Sequence, residues 1–226
     1  LGLLVMALQW SDMIEEMAQR YFYDAQRQSM TIGLAEPQAM TAVQAFKRLP
    51  GVLAVEPSRI VGADFSVGTR EHRGGITGIR SDSRLQPVHD DASGVDVRVP
   101  PAGLVISKRL AEKLGVGVGD RVWVEVHSGR RPTVELPIAS LFETLIAMPV
   151  YMDIDALNRL LEERPTLEYA NVLVDRNAEP ELFKKLKTLP GVGAIMLKHA
   201  AIDSFYDTIG EQMLIYTGIF ALFAAA

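Results

Sequence analysis

The feature that most constrains the fold is one sequence pattern that recurs at a constant, long offset. Leu49-Pro50-Gly51-Val52 recurs as Leu189-Pro190-Gly191-Val192. At the same offset Ile32-Gly33-Leu34 aligns with Val172-Leu173-Val174, and an amphipathic stretch lies between the aligned segments in each copy. Each Pro-Gly pair predicts a helix end and a turn, because Pro cannot continue a helix and Gly tolerates a positive φ. Each copy therefore predicts a strand, a helix, a turn and a second strand.

Two β-α-β units far apart in one chain are typical of a split ferredoxin-like sandwich. We therefore expect an α+β fold in which residues 28–57 and 169–198 form two ferredoxin-like β-α-β units in one layer. Two copies are too few for a solenoid, because that architecture needs at least three stacked repeats.

The segment between the copies shows short alternating patterns and many turn residues. Residues 60–67 and 75–80 predict a hairpin, and Val122 to Val126 alternates as a half-buried strand does. Ser107 is typical of a helix start and Gly115 of a helix end, which predicts a helix between them. We expect a small β-rich subdomain inserted between the two repeats.

Both ends of the sequence are apolar. Residues 1–8 and 213–226 contain no charged side chain. A bilayer span takes about 20 apolar residues, so we expect each end to be part of a membrane helix. The alternative is two terminal core helices, although a soluble helix usually has polar residues on one face. Helical periodicity continues inward over residues 9–27 and from Asp203 onward, which predicts two helical stalks.

The sequences flanking these ends are acidic rather than basic. The acidic side chains are Asp12, Glu15, Glu16, Asp203, Asp207 and Glu211. Cytoplasmic flanks of membrane helices are enriched in Lys and Arg, so we expect the domain to lie outside the cytoplasm. Trp10 and Tyr216 stand where interfacial aromatic side chains would anchor the two helices.

Composition excludes several classes of function. The 226 residues contain no cysteine, which excludes disulfides, thiolate–zinc sites and cysteine nucleophiles. The formal net charge is −5, whereas a nucleic-acid-binding protein should present a clustered basic surface. We therefore expect no nucleic-acid partner.

A glycine-rich segment, Gly115 to Asp120, could suggest a phosphate-binding loop. Such a loop follows a strand and opens a helix, so that helix N–H groups face the phosphate. Here the predicted helix precedes the glycines and a strand follows them, so helix carbonyls would repel the anion. We interpret the segment as a helix end and a tight turn.

Other polar groups do not form a recognisable site. The cluster His89, Asp90, Asp91 and Asp96 lacks metal-ligand spacing and predicts a solvated loop. The remaining candidates lack a partner set, a nucleophile elbow or a second ligand: Asp64, Glu71, His72, Ser107, His127, Ser140 and His199. Glu162-Glu163 is expected on a solvent face. We expect no catalytic, cofactor-binding or metal-binding residue, no cofactor and no enzymatic activity.

The stretch from Leu104 to Val122 resembles a segment of the extracytoplasmic domains of FtsX-like, MacB/LolC-type ABC transporter permeases. It contains the pattern Leu-Ala-x-x-Leu-Gly followed by Gly-Asp-x-Val. The repeated Leu-Pro-Gly-Val, Tyr151-Met152-Asp153 before a Leu-rich helix, and Asp203-Ser204-Phe205 fit the same family. The resemblance covers essentially the whole chain.

The family implies a porter-type domain made of the paired units, with a β-rich subdomain inserted, on stalks leading to membrane helices. The ranges implied are 1–8 for the end of a membrane helix, 9–27 for a stalk helix, 28–84 for the first half of the porter-like domain, 85–150 for the inserted β-rich subdomain, 151–202 for the second half, and 203–226 for a stalk helix and the start of the next membrane helix.

The resemblance also implies a function and partners. A cytoplasmic ATP-binding subunit would act through the membrane domain, and a second permease or permease half would complete a dimer. ATP-driven motion of the stalks would move the outer domain, which handles a lipoprotein, a peptide or a small amphiphile. The location implied is the cell (inner) membrane, with this domain on the periplasmic or extracellular side.

Two other classes of function are open from the residues alone. A membrane-tethered ligand-binding sensor would require a defined concave pocket. A membrane-anchored hydrolase would require a convergent polar triad, and the sequence offers none.

Overall fold

A computed structural model describes residues 14–16 and 18–209. Short helices are few and strands dominate. The strands are β1 (Met30–Ala39), β2 (Val52–Val67), β3 (Arg70–Ile79), β4 (Val88–Asp90), β5 (Val95–Val97), β6 (Leu104–Ser107), β7 (Arg121–Val126), β8 (Thr133–Phe142), β9 (Val150–Asp153), β10 (Thr166–Val174) and β11 (Val192–Leu197). The short helices are α1 (Ala42–Lys47), α2 (Lys108–Leu114), α3 (Ile154–Leu160) and α4 (Glu179–Leu186).

Four strands from the two sequence repeats form one end of the main sheet, in the order β11-β1-β10-β2. Strand β1 pairs antiparallel with β10 and β11, and β10 pairs antiparallel with β2. Both repeats have the expected strand–helix–strand order, and the strands of one repeat alternate with those of the other. We call these four strands the repeat sheet.

The repeat sheet has an internal two-fold pseudosymmetry that follows the sequence offset. Thr31 and Asn171, which are equivalent in the two repeats, lie opposite each other in the β1–β10 pair. Equivalent turns also make equivalent bonds: the Asp175 N–H donates to Gly51 O at 2.9 Å, and the Ala35 N–H donates to Gly191 O at 2.9 Å. The two copies therefore share backbone pairing as well as sequence pattern.

The two Pro-Gly turns need glycine for different reasons. Gly51 and Gly191 have φ values of 77° and 91°, a left-handed region that side chains with a Cβ adopt at a cost. A Cβ added at Gly51 would overlap the Cβ of Ala178, whereas one added at Gly191 would meet no atom within 4 Å. Only the first turn is closely packed against its neighbour.

Helices α1 and α4 cover one face of the repeat sheet. Val43 and Phe46 from α1 pack with Leu182 and Leu186 from α4, above apolar side chains of the strands. The strand residues in this core are Met30, Ile32, Val55, Leu167, Ala170, Val172 and Val174. Since side chains alternate along a strand, Thr31 and Asn171, whose chain neighbours are in this core, point to the opposite face.

The rest of the main sheet closes into a six-stranded barrel. Its order is β2-β3-β9-β6-β8-β7, and β7 pairs again with β2. The barrel interior is filled by apolar side chains such as Phe65, Ile76 and Val124, and Leu110 and Leu114 of α2 join the same core. Closure leaves no exposed edge among these strands.

Strand β2 belongs to both parts of the sheet. Its first residues pair with β10 in the repeat sheet, and its later residues pair with β3 and β7 in the barrel. The division into 28–84, 85–150 and 151–202 remains a prediction about domain organisation. Strands β2 and β3 belong to the first range. They pair directly with the barrel strands β7 and β9, which belong to later parts of the chain.

The helix predicted over Lys108 to Leu114 is confirmed. Gly115 ends it with φ 71°, and its N–H donates to Ala111 O at 2.7 Å. Ser107 occupies the N-cap position, as expected, but its side chain makes no capping bond. The predicted helix from Asp153 is also present, because the Asp153 carboxylate accepts bonds from the N–H groups of residues 155 and 156.

One helical segment precedes strand β1 in the chain, and another follows strand β11. Residues 14–16 and 18–19 are α-helical, and a π-helical turn, Arg20–Asp24, ends this segment before residue 27. Residues 198–209 are helical, so this helix begins before the expected Asp203. We call the two segments the N-terminal and C-terminal helices. The membrane helices predicted for 1–8 and after residue 209, with Trp10 and Tyr216, lie outside the described residues.

Within residues 14–16 and 18–209, no helix has the length and apolar character that a membrane span requires.

Candidate functional site

The N-terminal and C-terminal helices contact each other beside the repeat sheet. The rings of Phe22 and Phe205 meet edge to face with centroids 5.4 Å apart. Lys198, the first residue of the C-terminal helix, donates from Nζ to Gln26 O at 2.8 Å and lies 4.6 Å from the centroid of the Tyr23 ring. Burial lowers the pKa of the Lys198 ammonium. These contacts join the two helices directly.

A groove of about 400 Å³ lies between these helices and the open face of the repeat sheet. We call it the amide groove. The strands supply its floor, and the two helices, with Gln26, Gln28 and Gln86, supply its walls. Its lining residues are Tyr21, Gln26, Gln28, Met30, Thr31, Ser58, Ile60, Gln86, Tyr169, Asn171, Met196, Leu197, Lys198 and Ala201.

The floor of the amide groove is a chain of hydrogen bonds centred on Asn171. Thr31 Oγ1 donates to Asn171 Oδ1 at 2.8 Å, and Asn171 Nδ2 donates to Gln86 Oε1 at 2.8 Å. Asn171 Nδ2 also lies 3.4 Å from Ser58 Oγ. Asn171 is buried, so these bonds compensate for its loss of water. The arrangement fixes the Gln86 carbonyl against Asn171 and leaves the Gln86 amide nitrogen to donate elsewhere.

Gln28 lies in the wall of the amide groove with one polar atom unpaired. The residue is only 6% exposed, and its Oε1 has no hydrogen-bond partner among the described residues. Its Nε2 donates to Gln26 Oε1 over a long 3.4 Å. Because Oε1 is sealed from solvent, Gln28 borders the groove through its other atoms.

A second, smaller cavity of about 170 Å³ lies under the N-terminal helix, beside the loop 143–149. Its lining includes Arg20, Tyr21 and the adjacent aromatic rings of Phe142 and Tyr151, whose centroids are 5.6 Å apart. Burial raises the pKa of the Tyr151 phenol to about 12, so the side chain stays neutral. The π-helical turn thus rests on an aromatic surface that extends from the barrel.

The acidic cluster that could have suggested a metal site is engaged in structural bonds. Asp90 accepts from the Glu143 N–H at 2.6 Å, and Asp91 accepts from the Leu145 N–H at 2.8 Å. Asp96 pairs with Arg27 at 2.8 Å and lies 2.9 Å from His89 Nδ1. Among residues 14–16 and 18–209, no three His, Asp or Glu side chains converge as metal ligands would. The cluster joins the β4–β5 ribbon to the N-terminal segment and to the loop 143–149.

The other polar candidates are dispersed over the barrel surface and the helices. Asp64 pairs with Arg73 at 3.0 Å and with His127 at 3.2 Å, and the Arg73 bond lowers the pKa of its carboxyl. Burial and nearby Lys113 lower the pKa of His72. His199 pairs with Glu179 at 3.1 Å. None of these pairs borders the amide groove.

The two serines, Ser107 and Ser140, and the glycine segment do not come together in one site either. Ser107 is buried and its Oγ lacks a partner among the described residues, while Ser140 donates weakly to Leu141 O at 3.4 Å. In the glycine segment, the Gly117 N–H donates to Asp120 Oδ2 at 2.8 Å, which closes the expected turn. The carboxylates of Glu162 and Glu163 pair with Arg130 and Arg59, respectively.

Sequence reasoning missed the residues that line the amide groove. Gln28, Gln86 and Asn171 come from a linker, a loop and a strand, with no fixed spacing between them. A partial signal existed at Thr31 and Asn171, because these polar residues interrupt apolar strands at equivalent positions of the repeat. It did not indicate that a loop and two helices would enclose them.

The sequence matches no known protein-family profile and no curated protein. Solved structures do match. The periplasmic region of MacB from Actinobacillus actinomycetemcomitans aligns with 87% of this chain and 98% of its own, at 13% identity and a TM-score of 0.51. The extracellular domain of the ABC-type transporter YknZ from Gram-positive bacteria aligns with 74% of this chain and 97% of its own, at 14% identity and a TM-score of 0.46. The mixed, sheet-rich fold of this chain, with its few helices, is therefore the fold of the MacB periplasmic region.

Proposed function

We propose that this chain is the extracytoplasmic domain of an ABC transporter permease in the cell membrane. The observation that supports it is the shared fold, which extends over 87% of this chain and 98% of the MacB periplasmic region. The antiparallel order β11-β1-β10-β2, with α1 and α4 on one face, further supports a ferredoxin-like, porter-type half. The barrel would correspond to the inserted β-rich subdomain.

In this role the domain couples ATP-driven motion of membrane helices to the handling of an envelope cargo. It faces the periplasm or the cell exterior and has no catalytic, metal or cofactor site of its own. Its partners are a cytoplasmic ATP-binding subunit and a second permease or permease half. The Phe22–Phe205 contact supports the coupling, because it joins the two helices through which membrane motion would arrive.

The domain is also suited to transmit motion as one body. Strand β2 runs unbroken from the repeat sheet into the barrel. Where β2 passes from the repeat sheet into the barrel, the buried Arg59 side chain forms salt bridges with Glu163 and Glu168 and donates a hydrogen bond to Asn158. A displacement at the helices would therefore reach the far end of the barrel.

The test uses the full-length permease with its ATP-binding subunit in lipid nanodiscs. Because this chain has no cysteine, a spin label at Arg130→Cys, on the exposed barrel surface, marks the domain without competing thiols in the chain. We expect the label-to-label distance across the dimer to change between the nucleotide-free and ATP-bound complexes. No change on ATP binding would contradict the coupling.

Proline in either helix should abolish this response. Ala18→Pro and Ile209→Pro each interrupt a helix at a cost of about 3 kcal/mol, and a kinked helix transmits motion poorly. Glu15→Ala, on the exposed side of the N-terminal helix, is the control and should respond like the parent protein. A full ATP response in correctly folded proline variants of both helices would also contradict the coupling.

A membrane-tethered ligand-binding sensor is the second candidate function, and the amide groove favours it because that role requires a concave pocket. The two roles differ in their partner. Copurification of the full-length protein with an ATP-binding subunit supports the permease. Copurification with a signalling partner, and without an ATP-binding subunit, supports the sensor.

A further inference from the structure

We propose that the free edge of strand β11 pairs with the same strand of a second copy of this chain, so that two repeat sheets join into one. Strand β11 stands at the end of the main sheet. Among residues 14–16 and 18–209, its only strand partner is β1. An unpaired strand edge offers a row of N–H and C=O groups to another chain.

The backbone groups of Ile195 and Leu197 point to this free edge. The Lys198 N–H donates to Ser29 O at 3.0 Å, across the β1–β11 pair. Since the N–H groups of an antiparallel strand point alternately to one side and to the other, the Met196 N–H also faces β1. The N–H groups of Ile195 and Leu197 then face away from β1, and no described residue accepts a hydrogen bond from either.

The first repeat, which folds in the same way, protects the equivalent edge. Glu56 and Pro57 of β2 stand where Met196 and Leu197 stand in β11, at the offset of the Leu-Pro-Gly-Val pair. Pro57 has no N–H group to offer, and the Glu56 carboxylate accepts bonds of 2.9 and 3.0 Å from N–H groups of the loop 83–85. Proteins block strand edges with proline, charge or a covering loop. Strand β11 contains neither proline nor a charged residue.

The side chains of β11 suit burial against an identical strand. Met196 is large and apolar, yet it is 51% exposed. In the antiparallel pairing that uses both outward N–H groups, Ile195 of one copy lies opposite Leu197 of the second copy. Met196 then lies opposite Met196 of the second copy, in a non-hydrogen-bonded pair, where side chains approach most closely. The pairing therefore buries two exposed apolar side chains together and no charged side chain of the strand.

The symmetry of this pairing fits a dimer in one membrane. The two-fold axis between identical antiparallel strands is normal to the sheet, so equivalent faces of the two copies lie on the same side. The N-terminal and C-terminal helices lie beside the open face of the repeat sheet. All four helices of the dimer would therefore lie on one side of the joined sheet. The choice of a second copy rests on the proposed function, since a peptide that adds to a strand edge needs no such symmetry.

The contact is small, so it depends on assembly of the full-length protein. Strand β11 has six residues, and a stable interface usually buries about 800 Å² on each partner. Two copies held in one membrane complex meet at a high effective concentration, which compensates for a weak contact. The pairing is therefore expected in the assembled permease.

The test is oxidative cross-linking of the full-length permease with its ATP-binding subunit in membrane vesicles. This chain has no cysteine, so Met196→Cys adds one thiol to each copy of the domain. Directly opposite residues of an antiparallel pair lie within the Cα distance of a disulfide, about 4.4–6.8 Å. We expect copper phenanthroline to convert Met196→Cys to a disulfide-linked dimer. The control is Leu53→Cys, which is 65% exposed at the protected edge of the first repeat and should stay unlinked.

Two changes made in the Met196→Cys background should block the cross-link. Leu197→Pro removes the outward N–H, and Pro57, which lies opposite Ala170, shows that the equivalent position accommodates proline. It should reduce the cross-linked fraction about tenfold, as expected for the loss of one or two hydrogen bonds. Ala194→Lys, at an exposed position, brings a charge opposite Lys198 of the second copy and should reduce it even if Leu197→Pro folds poorly.

Three results would overturn the proposal. The first is the absence of a disulfide-linked dimer in a complex that contains the ATP-binding subunit. The second is a cross-link that Ala194→Lys, or a well-folded Leu197→Pro, leaves unchanged. The third is a Met196→Cys disulfide to a different protein, because that result would identify the edge as a docking site for another chain. A disulfide-linked dimer that copurifies without an ATP-binding subunit would support the pairing and contradict the proposed function instead.

Discussion

Replacing Arg59 with methionine tests whether the passage from the repeat sheet to the barrel depends on a buried charge. The Arg59 side chain is 3% exposed and uses all its nitrogens. Nη2 lies 2.7 Å from Glu163 Oε2 and Nε lies 3.1 Å from Glu168 Oε1. Nη1 donates to Asn158 Oδ1 at 2.7 Å and to Thr166 Oγ1 at 3.0 Å. Methionine fills much of the same space and makes none of these bonds.

The expected cost follows from what the substitution leaves behind. Removing one partner of a fully buried ion pair costs about 3–5 kcal/mol, because the other charge stays unpaired. Here the side chains of Glu163 and Glu168 are 33% and 23% exposed, so water can solvate part of their charge. Asn158 Oδ1 keeps its bond from Thr166 at 3.1 Å. We therefore expect Arg59→Met to lower the free energy of unfolding by about 2–3 kcal/mol.

Urea unfolding followed by circular dichroism measures this change. The midpoint should fall and the slope m should stay the same, since a change in stability alone moves only the midpoint. Arg130→Met is the matched control, because Arg130 is 79% exposed and pairs with Glu162 at 2.6 Å. That variant should lie within about 0.5 kcal/mol of the parent. A loss below about 1 kcal/mol for Arg59→Met, or equal losses for both variants, would refute the role assigned to the buried network.

The two equivalent turns should respond unequally to alanine. Gly191→Ala should cost about 1–2 kcal/mol for the left-handed backbone alone, and Gly51→Ala should cost more because its Cβ also clashes; equal shifts in thermal unfolding would contradict this. Desolvation opposes ionisation of Asp96, but bonds from His89 and Arg27 hold its carboxyl pKa below the usual 3.8. The parent protein should therefore be more stable than Asp96→Asn by the full contribution of these bonds above about pH 4–5. This difference in stability should disappear as the pH falls through the lower folded-state pKa. Unfolding curves from pH 7 to pH 2 measure it, and a stability difference that is constant over this range would contradict the ion pair.

The sequence predicted much of the local structure because the relevant interactions are local. The Leu-Pro-Gly-Val pairs predicted two turns, and both glycines have positive φ. Gly115 predicted the end of a helix, and Asp153 stands at the start of another. In each case the residue type, its backbone preference and its nearest neighbours are sufficient. The resemblance to MacB/LolC-type domains is confirmed as a likeness of fold, and it rested on the same short segments.

Only the tertiary structure decided how distant segments meet. Backbone pairing closes the barrel between β2 and β7, which no pattern within either strand can specify. The amide groove depends on the same kind of contact, since Gln28, Gln86 and Asn171 become neighbours only when a linker, a loop and a strand pack together. Polar residues such as these have no periodicity that distinguishes a buried site from a solvated surface. Sequence therefore determined the repeated units and their turns, and packing between distant residues determined the barrel and the groove.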